Sequence, residues 1–342
     1  MTINSRKTSG LIIGKFMPPH LGHQYLVDFA RNYVDELHVL VCSLKSEPIP
    51  GHLRYKWMKE LFPGVNVQHM YHDDFPSEPK DDLEFWRKWK SAISGYLSDK
   101  PAQYLFACES YGIPLATLFG MKYIPVSHTR ELVPISGTEI RQDPIKNWQY
   151  IPVPVKPYFV KRVCIFGPES TGKSMLAENL AKHFDTVHVK EYARSLLDLK
   201  EGKRKGTVDY KDLSLIARGQ IASEEALAKQ ANKVLFCDTD LLTTEIWGNI
   251  LFGKCPEWIK QESKKETYDR YLVLNENVPF TSDKQRYGGD KRQLSLERCI
   301  VELEARGRKY SVITGDDWDS RFKQAVGEVE KILKCQKPEV LG

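Results

Sequence analysis

The sequence predicts an α/β protein of two domains, each a parallel sheet whose strands are joined by crossover helices. Short apolar runs alternate with helical patterns over residues 10–145, and a second alternation begins at residue 162. A proline-rich segment separates the two series. A chain of 342 residues with 41% hydrophobic content is long enough to bury two such cores.

The first domain, residues 1–150, shows five apolar runs with helical periodicity between them. The predicted strands are 11–13, 37–42, 65–71, 104–108 and 123–126. The predicted helices are 23–33, 53–62, 83–97 and 113–119. This alternation predicts a doubly wound sheet.

Residues 151–160 are predicted to be a linker, extended over 151–157, because Pro152, Pro154 and Pro157 disfavour both helix and central strand. The second domain, residues 161–342, then opens with a strand and a helix that ends near Phe184. Its predicted strands are 162–166, 186–189, 234–237, 271–274 and 311–314.

Composition limits the class of protein only loosely. The net charge of +5 suits anionic substrates without demanding nucleic acid, and the basic run 200–205 lacks interleaved aromatic residues and predicts a solvated turn. The seven cysteines are far apart and predict reduced thiols. Without an apolar run of about 18 residues or a secretory leader, we expect a cytoplasmic protein with no membrane or nucleic-acid partner. A monomer and a homo-oligomer both stay open.

The first candidate site lies directly after the first predicted strand, in the segment Gly-Lys-Phe-Met-Pro-Pro-His-Leu-Gly-His at residues 14–23. At a helix start His20 and His23 can face the same side of the first turn, and Gly22 leaves room between them. Two such rings can bind the phosphates of ATP and stabilise charge as pyrophosphate leaves. Ordinary loop histidines are the alternative, which the preceding strand and the Gly-x-Phe-x-Pro-Pro run disfavour.

A second segment, Ile-Ser-Gly-Thr-Glu-Ile-Arg at residues 135–141, follows the last strand of this domain. Ser136 and Glu139 have capping-box spacing, which is a purely structural explanation. The same helix start, with hydroxyls from Ser136 and Thr138 and a cation from Arg141, also suits the β- and γ-phosphates of ATP. Both roles can hold together.

These two motifs resemble the nucleotidyltransferase superfamily marked by His-x-Gly-His and a distal Ile-Ser-x-Thr-x-Ile-Arg, and within it the nicotinamide mononucleotide (NMN) adenylyltransferases. The resemblance implies a Rossmann-like sheet that converts ATP and NMN to NAD and pyrophosphate, with His20, His23 and Arg141 as catalytic residues. The implied ATP-binding residues are Gly14, Lys15, Phe16, His20, His23, Arg54, Ser136, Gly137, Thr138 and Arg141. Trp57, Trp86 and Trp89 have the apolar surface to stack on a nicotinamide ring, but such spacing is more typical of core.

The second candidate site matches Gly-x-x-x-x-Gly-Lys-Ser in full at residues 167–174, between a predicted strand and a predicted helix. In this motif backbone N–H groups and the lysine hold phosphates, and the serine hydroxyl reaches Mg²⁺. The predicted ATP-binding residues are Gly167, Pro168, Glu169, Ser170, Thr171, Gly172, Lys173 and Ser174. Lys173 is also predicted to be catalytic.

Carboxylates follow two later strands of this domain. Asp238 and Asp240 end the strand 234–237, at the edge that faces the same crevice as the 167–174 loop. One is suited to hold Mg²⁺, with Ser174, and the other to orient or deprotonate an attacking hydroxyl. A capping aspartate in a turn is the structural alternative. Glu191 is a further candidate for substrate binding, together with both aspartates.

Residues 283–292 combine two glycines with Arg286 and Arg292. Glycines permit movement and arginines can reach a transferring phosphoryl group, so this segment predicts a closing lid that contributes to ATP binding. A solvated loop is the alternative.

The second half resembles the ribosylnicotinamide kinase domain of the NadR-type bifunctional proteins, with the phosphate loop, Glu-Tyr-Ala-Arg, Asp-Thr-Asp and an arginine-bearing segment in the same order. Together the resemblances imply a nucleotidyltransferase sheet followed by a P-loop kinase domain. The kinase would make NMN from nicotinamide riboside and ATP, and the transferase would make NAD. Some relatives carry an N-terminal helix-turn-helix, which the roughly nine residues before the first strand do not predict.

Two alternatives to this function stay open. One is a fused coenzyme A synthase, which also joins a His-x-Gly-His transferase to a P-loop kinase. The other is a regulatory protein that senses nucleotide levels through a degenerate site.

Overall fold

A computed structural model describes residues 7–73, 83–96, 102–109, 111–127, 131–200, 207–265, 267–277 and 294–334. The chain divides into two compact units, the first ending at Val155 and the second beginning at Lys156. Each unit is an α/β layer structure around its own parallel sheet.

Over its described residues, the first unit contains five strands and five helices in nearly strict alternation. They are β1 Ser9–Gly14, α1 Leu21–Tyr33, β2 Glu36–Ser43, α2 Gly51–Leu61, β3 Asn66–Tyr71, α3 Leu83–Ser94, β4 Tyr104–Ala107, α4 Gly112–Phe119, β5 Lys122–Pro125 and α5 Gly137–Gln142. A short 3-10 turn, Trp148–Tyr150, follows α5.

The sheet of the first unit has the order β3-β2-β1-β4-β5, and every neighbouring pair is parallel. Alternate residues of β1 face opposite sides: Ile12 packs in one apolar cluster, and Leu11 and Ile13 pack in the other. The strand order reverses at β1, which lies between β2 and β4. Ligands of open parallel sheets bind at the carboxyl end of such a reversal.

The second unit contains five further strands and eight helices within the described residues. They are α6 Lys156–Phe159, β6 Lys161–Phe166, α7 Lys173–His183, β7 His188–Val189, α8 Tyr192–Asp198, α9 Asp212–Ala228, β8 Val234–Asp238, α10 Leu241–Phe252, α11 Glu257–Ser263, β9 Arg270–Leu274, α12 Leu296–Glu304, β10 Tyr310–Ile313 and α13 Trp318–Lys334.

The sheet of the second unit has the order β10-β9-β6-β8-β7, again with every neighbouring pair parallel. The order reverses at β6, which lies between β8 and β9. Val163 and Ile165 of β6 pack with Leu180 of α7 and Val329 of α13 on one face. The reversal places the carboxyl ends of β6 and β8 side by side.

Two sequence predictions about local structure are corrected. Lys156–Phe159 is a short helix whose first two residues belong to the segment predicted to be extended, and Pro157 is tolerated there because a proline in the first helical turn sacrifices no intrahelical hydrogen bond. Lys200 was predicted to lie in a solvated turn, but its side chain is 14% exposed and pairs with Asp212 of α9. The remaining basic residues of that run lie outside the described residues.

The described cysteines include five that are buried, Cys42, Cys164, Cys237, Cys255 and Cys299. Among the helices described, none is both long and apolar enough to traverse a bilayer.

Candidate active sites

The first cavity, of about 610 Å³, lies in the first unit at the carboxyl ends of β1 and β4. Nine of the ten predicted ATP-binding residues of this unit line it. They are Gly14, Lys15, Phe16, His20, His23, Ser136, Gly137, Thr138 and Arg141. The sheet reversal therefore brings together two motifs that lie more than a hundred residues apart in the chain.

The two histidines stand against each other at the start of α1. His20 is the N-cap residue and is 7% exposed, and its ring centroid lies 3.7 Å from that of His23. The backbone N–H of His20 donates to Nδ1 of His23 over 3.2 Å, so the neutral His23 ring carries its proton on Nε2. A Cβ on Gly22 would lie 3.0 Å from the His20 ring. Glycine at this position therefore permits the close approach of the two rings.

Phe16 fixes the loop that leads to these histidines. Its backbone is left-handed, with φ of 48°, and its ring is buried against His23 at 4.9 Å between centroids. A Cβ on Gly14 would lie 3.2 Å from the same ring. The predicted ATP-binding role of Phe16 is thus accompanied by a packing role, because the ring supports one face of His23.

Helix α5 begins with the predicted capping box, which is confirmed. The hydroxyl of Ser136 accepts from the backbone N–H of Glu139 over 3.2 Å, and the Glu139 carboxylate accepts from the backbone N–H of Ser136 over 2.8 Å. The hydroxyl of Ser136 also donates to that carboxylate. A phosphate group would therefore compete with Glu139 for this hydroxyl.

Arg141 joins the two motifs of the first cavity. Its guanidinium donates to the carbonyl oxygen of Met17 and, over 3.1 Å, to the hydroxyl of Thr138. Burial is the main cause of a lowered pKa for Arg141. A Cβ on Gly137 would lie 2.5 Å from the Met17 carbonyl oxygen, so glycine lets the helix start approach the loop.

The prediction that Arg54 binds ATP is corrected by its position. Arg54 is fully buried and is not among the residues that line the first cavity. Its guanidinium donates to the carboxylate of Glu47, to the carbonyl oxygen of Lys15 over 2.7 Å and to that of Cys42 over 3.3 Å. Arg54 therefore stabilises the loops that follow β1 and β2 through buried hydrogen bonds.

The sequence did not show which aromatic side chains form the wall of the first cavity. Trp86 and Trp89 of α3 line it, together with His72 and Tyr111, whereas Trp57 is core. The hydroxyl of Tyr111 donates to the Ile13 carbonyl oxygen over 2.9 Å. The helical spacing of the tryptophans did not distinguish core from cavity wall, since Trp89 also belongs to a core cluster.

The second cavity, of about 160 Å³, lies in the second unit at the carboxyl ends of β6 and β8. Four of the eight loop residues predicted to bind ATP line it, namely Gly167, Glu169, Ser170 and Lys173. Arg286 and Arg292, the predicted lid arginines, lie outside the described residues.

The loop between β6 and α7 has the left-handed backbone that its glycines allow. Gly167 and Gly172 have φ of 132° and 88°, and a Cβ on Gly172 would lie 2.3 Å from the Trp318 ring. Nζ of Lys173 donates to the carbonyl oxygens of Gly167 and Pro168 over 3.0 and 2.7 Å, and buried Thr171 donates to Pro168 as well. The ammonium group is thus held at the loop, where a phosphate can replace the two carbonyls.

Ser174 and Asp238 form a contact suited to a divalent cation. The Ser174 hydroxyl donates to Oδ2 of Asp238 over 2.5 Å, and Oδ1 is buried and has no hydrogen-bond partner among the described atoms. Burial raises the pKa of Asp238 to about 6, against the opposing effects of Lys173 and of Ser174. An unpartnered carboxylate oxygen beside a serine hydroxyl fits the oxygen ligands that Mg²⁺ prefers.

No group of three or more His, Cys, Asp or Glu side chains is arranged to hold a metal ion in the part of the chain that is described. A cation at Ser174 would therefore need phosphate oxygens or water as further ligands. Asp238 is not among the residues that line the second cavity. Its substrate contact stays a prediction, and its position beside Ser174 suits the predicted metal role.

Asp240 is the N-cap residue of α10, as the structural alternative had it. Oδ1 accepts from the backbone N–H of Thr243 over 2.9 Å, and Oδ2 accepts from the hydroxyl of Tyr271 over 2.9 Å. Asp240 nevertheless lines the second cavity, and burial raises its pKa. Glu191, directly before α8, also lines the cavity and accepts from Nε of Arg194 over 3.2 Å.

Sequence reasoning missed the apolar wall of the second cavity. Helices α8, α9 and α10 and the segment before α9 supply it through Leu197, Val208, Leu213, Ile216, Trp247 and Leu251. Gln220, 2% exposed, adds an amide to this wall. An apolar wall in the same cavity as a phosphate loop suits the ring of an acceptor that carries a hydroxyl.

The amino-acid sequence of the chain matches a known protein family and is similar to two curated proteins. A family described as AAA domain matches residues 162–321. The chain is 30% identical over 352 aligned residues to the trifunctional NAD biosynthesis/regulator protein NadR of Escherichia coli (strain K12). This alignment covers 97% of this chain and 85% of the relative. The protein of the same name from Salmonella typhimurium (strain LT2) is 28% identical over 347 residues, with coverage of 96% and 84%.

Two solved structures share the fold over nearly the whole chain. A crystal structure of NadR protein in complex with NR has a TM-score of 0.79 and 21% identity, with 98% of each chain covered. A crystal structure of NadR protein in complex with NAD and AMP-PNP has a TM-score of 0.79 and 20% identity, with 98% of this chain and 99% of that chain covered.

Proposed function

The chain belongs to the NadR family, and we propose that it is a bifunctional enzyme of NAD synthesis. The second unit phosphorylates nicotinamide riboside with ATP to give NMN and ADP. The first unit then joins NMN to the adenylyl group of another ATP to give NAD and pyrophosphate. The names of the curated relatives and the ligands in the two NadR crystal structures support this assignment.

The second unit acts as the kinase. The riboside ring lies against the apolar wall of the second cavity, and its 5′-hydroxyl faces the γ-phosphate held by the 167–174 loop. Asp240, whose carboxylate is fixed by Thr243 and Tyr271, orients this hydroxyl and accepts its proton. The hydroxyl oxygen then bonds to the γ-phosphorus as the bond to ADP breaks.

Charge stabilisation in the kinase falls to Lys173, Ser174 and Asp238. The ammonium of Lys173 leaves the loop carbonyls to contact the phosphates, which costs little because its hydrogen bonds are exchanged rather than lost. Ser174 and Asp238 would hold the Mg²⁺ that accompanies ATP. When bound, this ion neutralises charge on the phosphate oxygens.

The first unit acts as the adenylyltransferase. A phosphate oxygen of NMN attacks the α-phosphorus of ATP, and pyrophosphate is the leaving group. The Nε2 of His23 donates to the phosphates, and His20 supports it from the side at 3.7 Å between centroids. Arg141, Ser136 and Thr138 bind the departing β- and γ-phosphates, and the cavity of about 610 Å³ is large enough for a dinucleotide.

One observation carries this proposal. Each unit has a cavity at the reversal point of its own parallel sheet, and residues of a phosphate-binding motif line each cavity. Two separate nucleotide sites in one chain fit two successive reactions that both consume ATP. A single nucleotide-sensing site would not require the second motif.

The test is to incubate the purified protein with ATP, Mg²⁺ and nicotinamide riboside and to separate the products by chromatography. We expect NMN to form first and NAD to follow, with release of ADP and then pyrophosphate. Pyrophosphate release with 4′-phosphopantetheine but not with NMN would instead identify a coenzyme A synthase. Absence of turnover with either substrate would favour a regulatory nucleotide sensor.

A further inference from the structure

A buried hydrogen-bond network lies beside the second cavity and does not belong to the phosphate loop. We call it the Glu224 network; it comprises Arg162, Gln220, Glu224 and Tyr268. Glu224, on α9, is 7% exposed. Its Oε1 accepts from the hydroxyl of Tyr268 over 2.6 Å and from Nε2 of Gln220 over 3.4 Å, and its Oε2 accepts from Arg162 over 3.3 Å.

The carboxylate of Glu224 determines which end of the Gln220 amide faces it. An ionised carboxylate can only accept hydrogen bonds, so Gln220 must present its NH₂ group. The amide oxygen of Gln220 then points the other way and accepts from the backbone N–H of Tyr192 over 3.1 Å. Tyr192 is the first residue of α8, where N–H groups have no partner within the helix.

A second observation shows that α9 is shaped to hold the start of α8. A Cβ on Gly219 would lie 2.1 Å from the ring of Tyr192. The ring therefore packs directly on the backbone of α9, at the residue next to Gln220. Two successive residues of α9 thus hold Tyr192, one by leaving space for its ring and the other by a hydrogen bond to its backbone.

Helix α8 carries part of the wall of the second cavity. Glu191, which precedes the helix, and Ala193, Arg194 and Leu197 within it all line the cavity. The placement of these side chains depends on where the first turn of α8 is held. The Glu224 network contacts that turn through the side-chain amide of Gln220, which accepts from the backbone N–H of Tyr192. Glu224 itself does not line the cavity.

We propose that Glu224 is a positioning residue for the acceptor, acting through Gln220 on the first turn of α8. This inference deepens the proposed kinase function and rests on it. The carboxylate holds the amide, the amide holds Tyr192, and α8 presents Glu191 and Arg194 to the acceptor. The phosphate loop lies outside this chain of contacts, so ATP binding is independent of it.

The kinetic test is Glu224→Gln in the full chain, with Glu225→Gln as the matched control. Arg162 can only donate, so an amide at position 224 turns its oxygen towards Arg162 and its NH₂ towards Gln220, and this NH₂ competes with the Tyr192 N–H for the Gln220 oxygen. We expect the KM for nicotinamide riboside to rise about tenfold, with kcat and the KM for ATP within about twofold of wild type. Glu225 also binds Arg162 but its side chain is 68% exposed, and its substitution should change none of the three.

A double-mutant cycle tests whether the effect passes through Gln220. In a Gln220→Ala background, Glu224→Gln should raise the riboside KM by less than about twofold, because the amide that it orients is already absent. Independent, multiplicative effects of the two substitutions would overturn the proposed route. An equal loss in ATP and riboside affinity would also overturn it, since that is the result of a general structural defect.

Hydrogen exchange gives a readout that needs no activity. In the ligand-free protein, amides of residues 192–198 should exchange faster in Glu224→Gln than in wild type or Glu225→Gln. If wild type fails to phosphorylate the riboside, the proposed function is wrong, and exchange still decides the positioning role. Where Glu224→Gln does not fold, Tyr268→Phe removes one donor to Glu224 and should give the same changes at smaller size. Unchanged exchange in α8 would refute the inference.

Discussion

Replacement of Arg54 by methionine tests whether this residue is a structural support or an ATP ligand. The guanidinium is fully buried and donates to Glu47 and to the carbonyl oxygens of Lys15 and Cys42. Arg54→Met removes these hydrogen bonds and leaves the Glu47 carboxylate, 7% exposed, with Lys15 at 3.9 Å as its remaining ion-pair partner among the described residues. Breaking one partner of a buried ion pair costs about 3–5 kcal/mol.

Scanning calorimetry of the purified chain measures this cost. For a unit of this size about 3–5 kcal/mol corresponds to a fall in Tm of roughly 10 °C for the transition of the first unit. Arg54→Met combined with Glu47→Leu should recover at least about half of the loss, because the unpaired carboxylate is removed as well. Lys15→Met is the control: its ammonium is 3.9 Å from Glu47 and its side chain 34% exposed, so its loss costs less than about 1 kcal/mol.

The opposite pattern would refute the structural role of Arg54. If Arg54→Met has the Tm of wild type while its KM for ATP in adenylyl transfer is higher, the guanidinium contacts the nucleotide. The calorimetric and kinetic results therefore separate the two explanations without reference to any relative.

Three further predictions concern the second unit. Gly172→Ala places a Cβ 2.3 Å from the Trp318 ring at a φ of 88°, and should lower kinase kcat/KM at least about tenfold in a coupled ADP assay without changing adenylyl transfer. Ser174→Ala removes an oxygen beside Asp238 and should raise the Mg²⁺ concentration for half-maximal kinase activity about tenfold, whereas an unchanged magnesium titration would exclude a metal role. Burial raises the pKa of Glu224 from 4.5 to about 6, so the folded protein retains this proton when the unfolded chain has lost it. The stability contribution of Glu224 is therefore greatest below pH 4.5 and falls by about 2 kcal/mol as the pH rises through 6. The free energy of unfolding, measured with a chemical denaturant from below pH 4.5 to above pH 6, should fall by about 2 kcal/mol more in wild type than in Glu224→Gln. The same pH dependence in both proteins would contradict this prediction.

The strands and the phosphate motifs were predictable because their signals are local. All ten predicted strands are present, because short apolar runs that alternate with helical patterns are a local signal of a parallel α/β sheet. The spacing of glycines and Lys173 similarly indicates the shape of its loop, because residues without a Cβ adopt the φ values of 132° and 88° at Gly167 and Gly172 with the least strain. In both cases the neighbouring residues alone carry the constraint.

Features that depend on distant partners were not predictable in the same way. Nothing in the sequence distinguishes an arginine that meets a phosphate from one, such as Arg54, that meets Glu47. Asp240 caps a helix and also lines a cavity, and its position in the chain is compatible with either role. Residues of three helices form the apolar wall near Gln220, so no single sequence motif predicts it.

The central claim is that the two units hold independent nucleotide sites that act in sequence, and paired knockouts measure this most directly. His23→Ala and Lys173→Ala are each supplied with ATP, Mg²⁺ and nicotinamide riboside, and NMN and NAD are followed by chromatography. We predict that His23→Ala accumulates NMN without NAD, that Lys173→Ala makes neither from the riboside yet converts added NMN to NAD, and that mixing the two variants restores NAD. Loss of both activities from either single substitution in a protein that remains folded would contradict the claim.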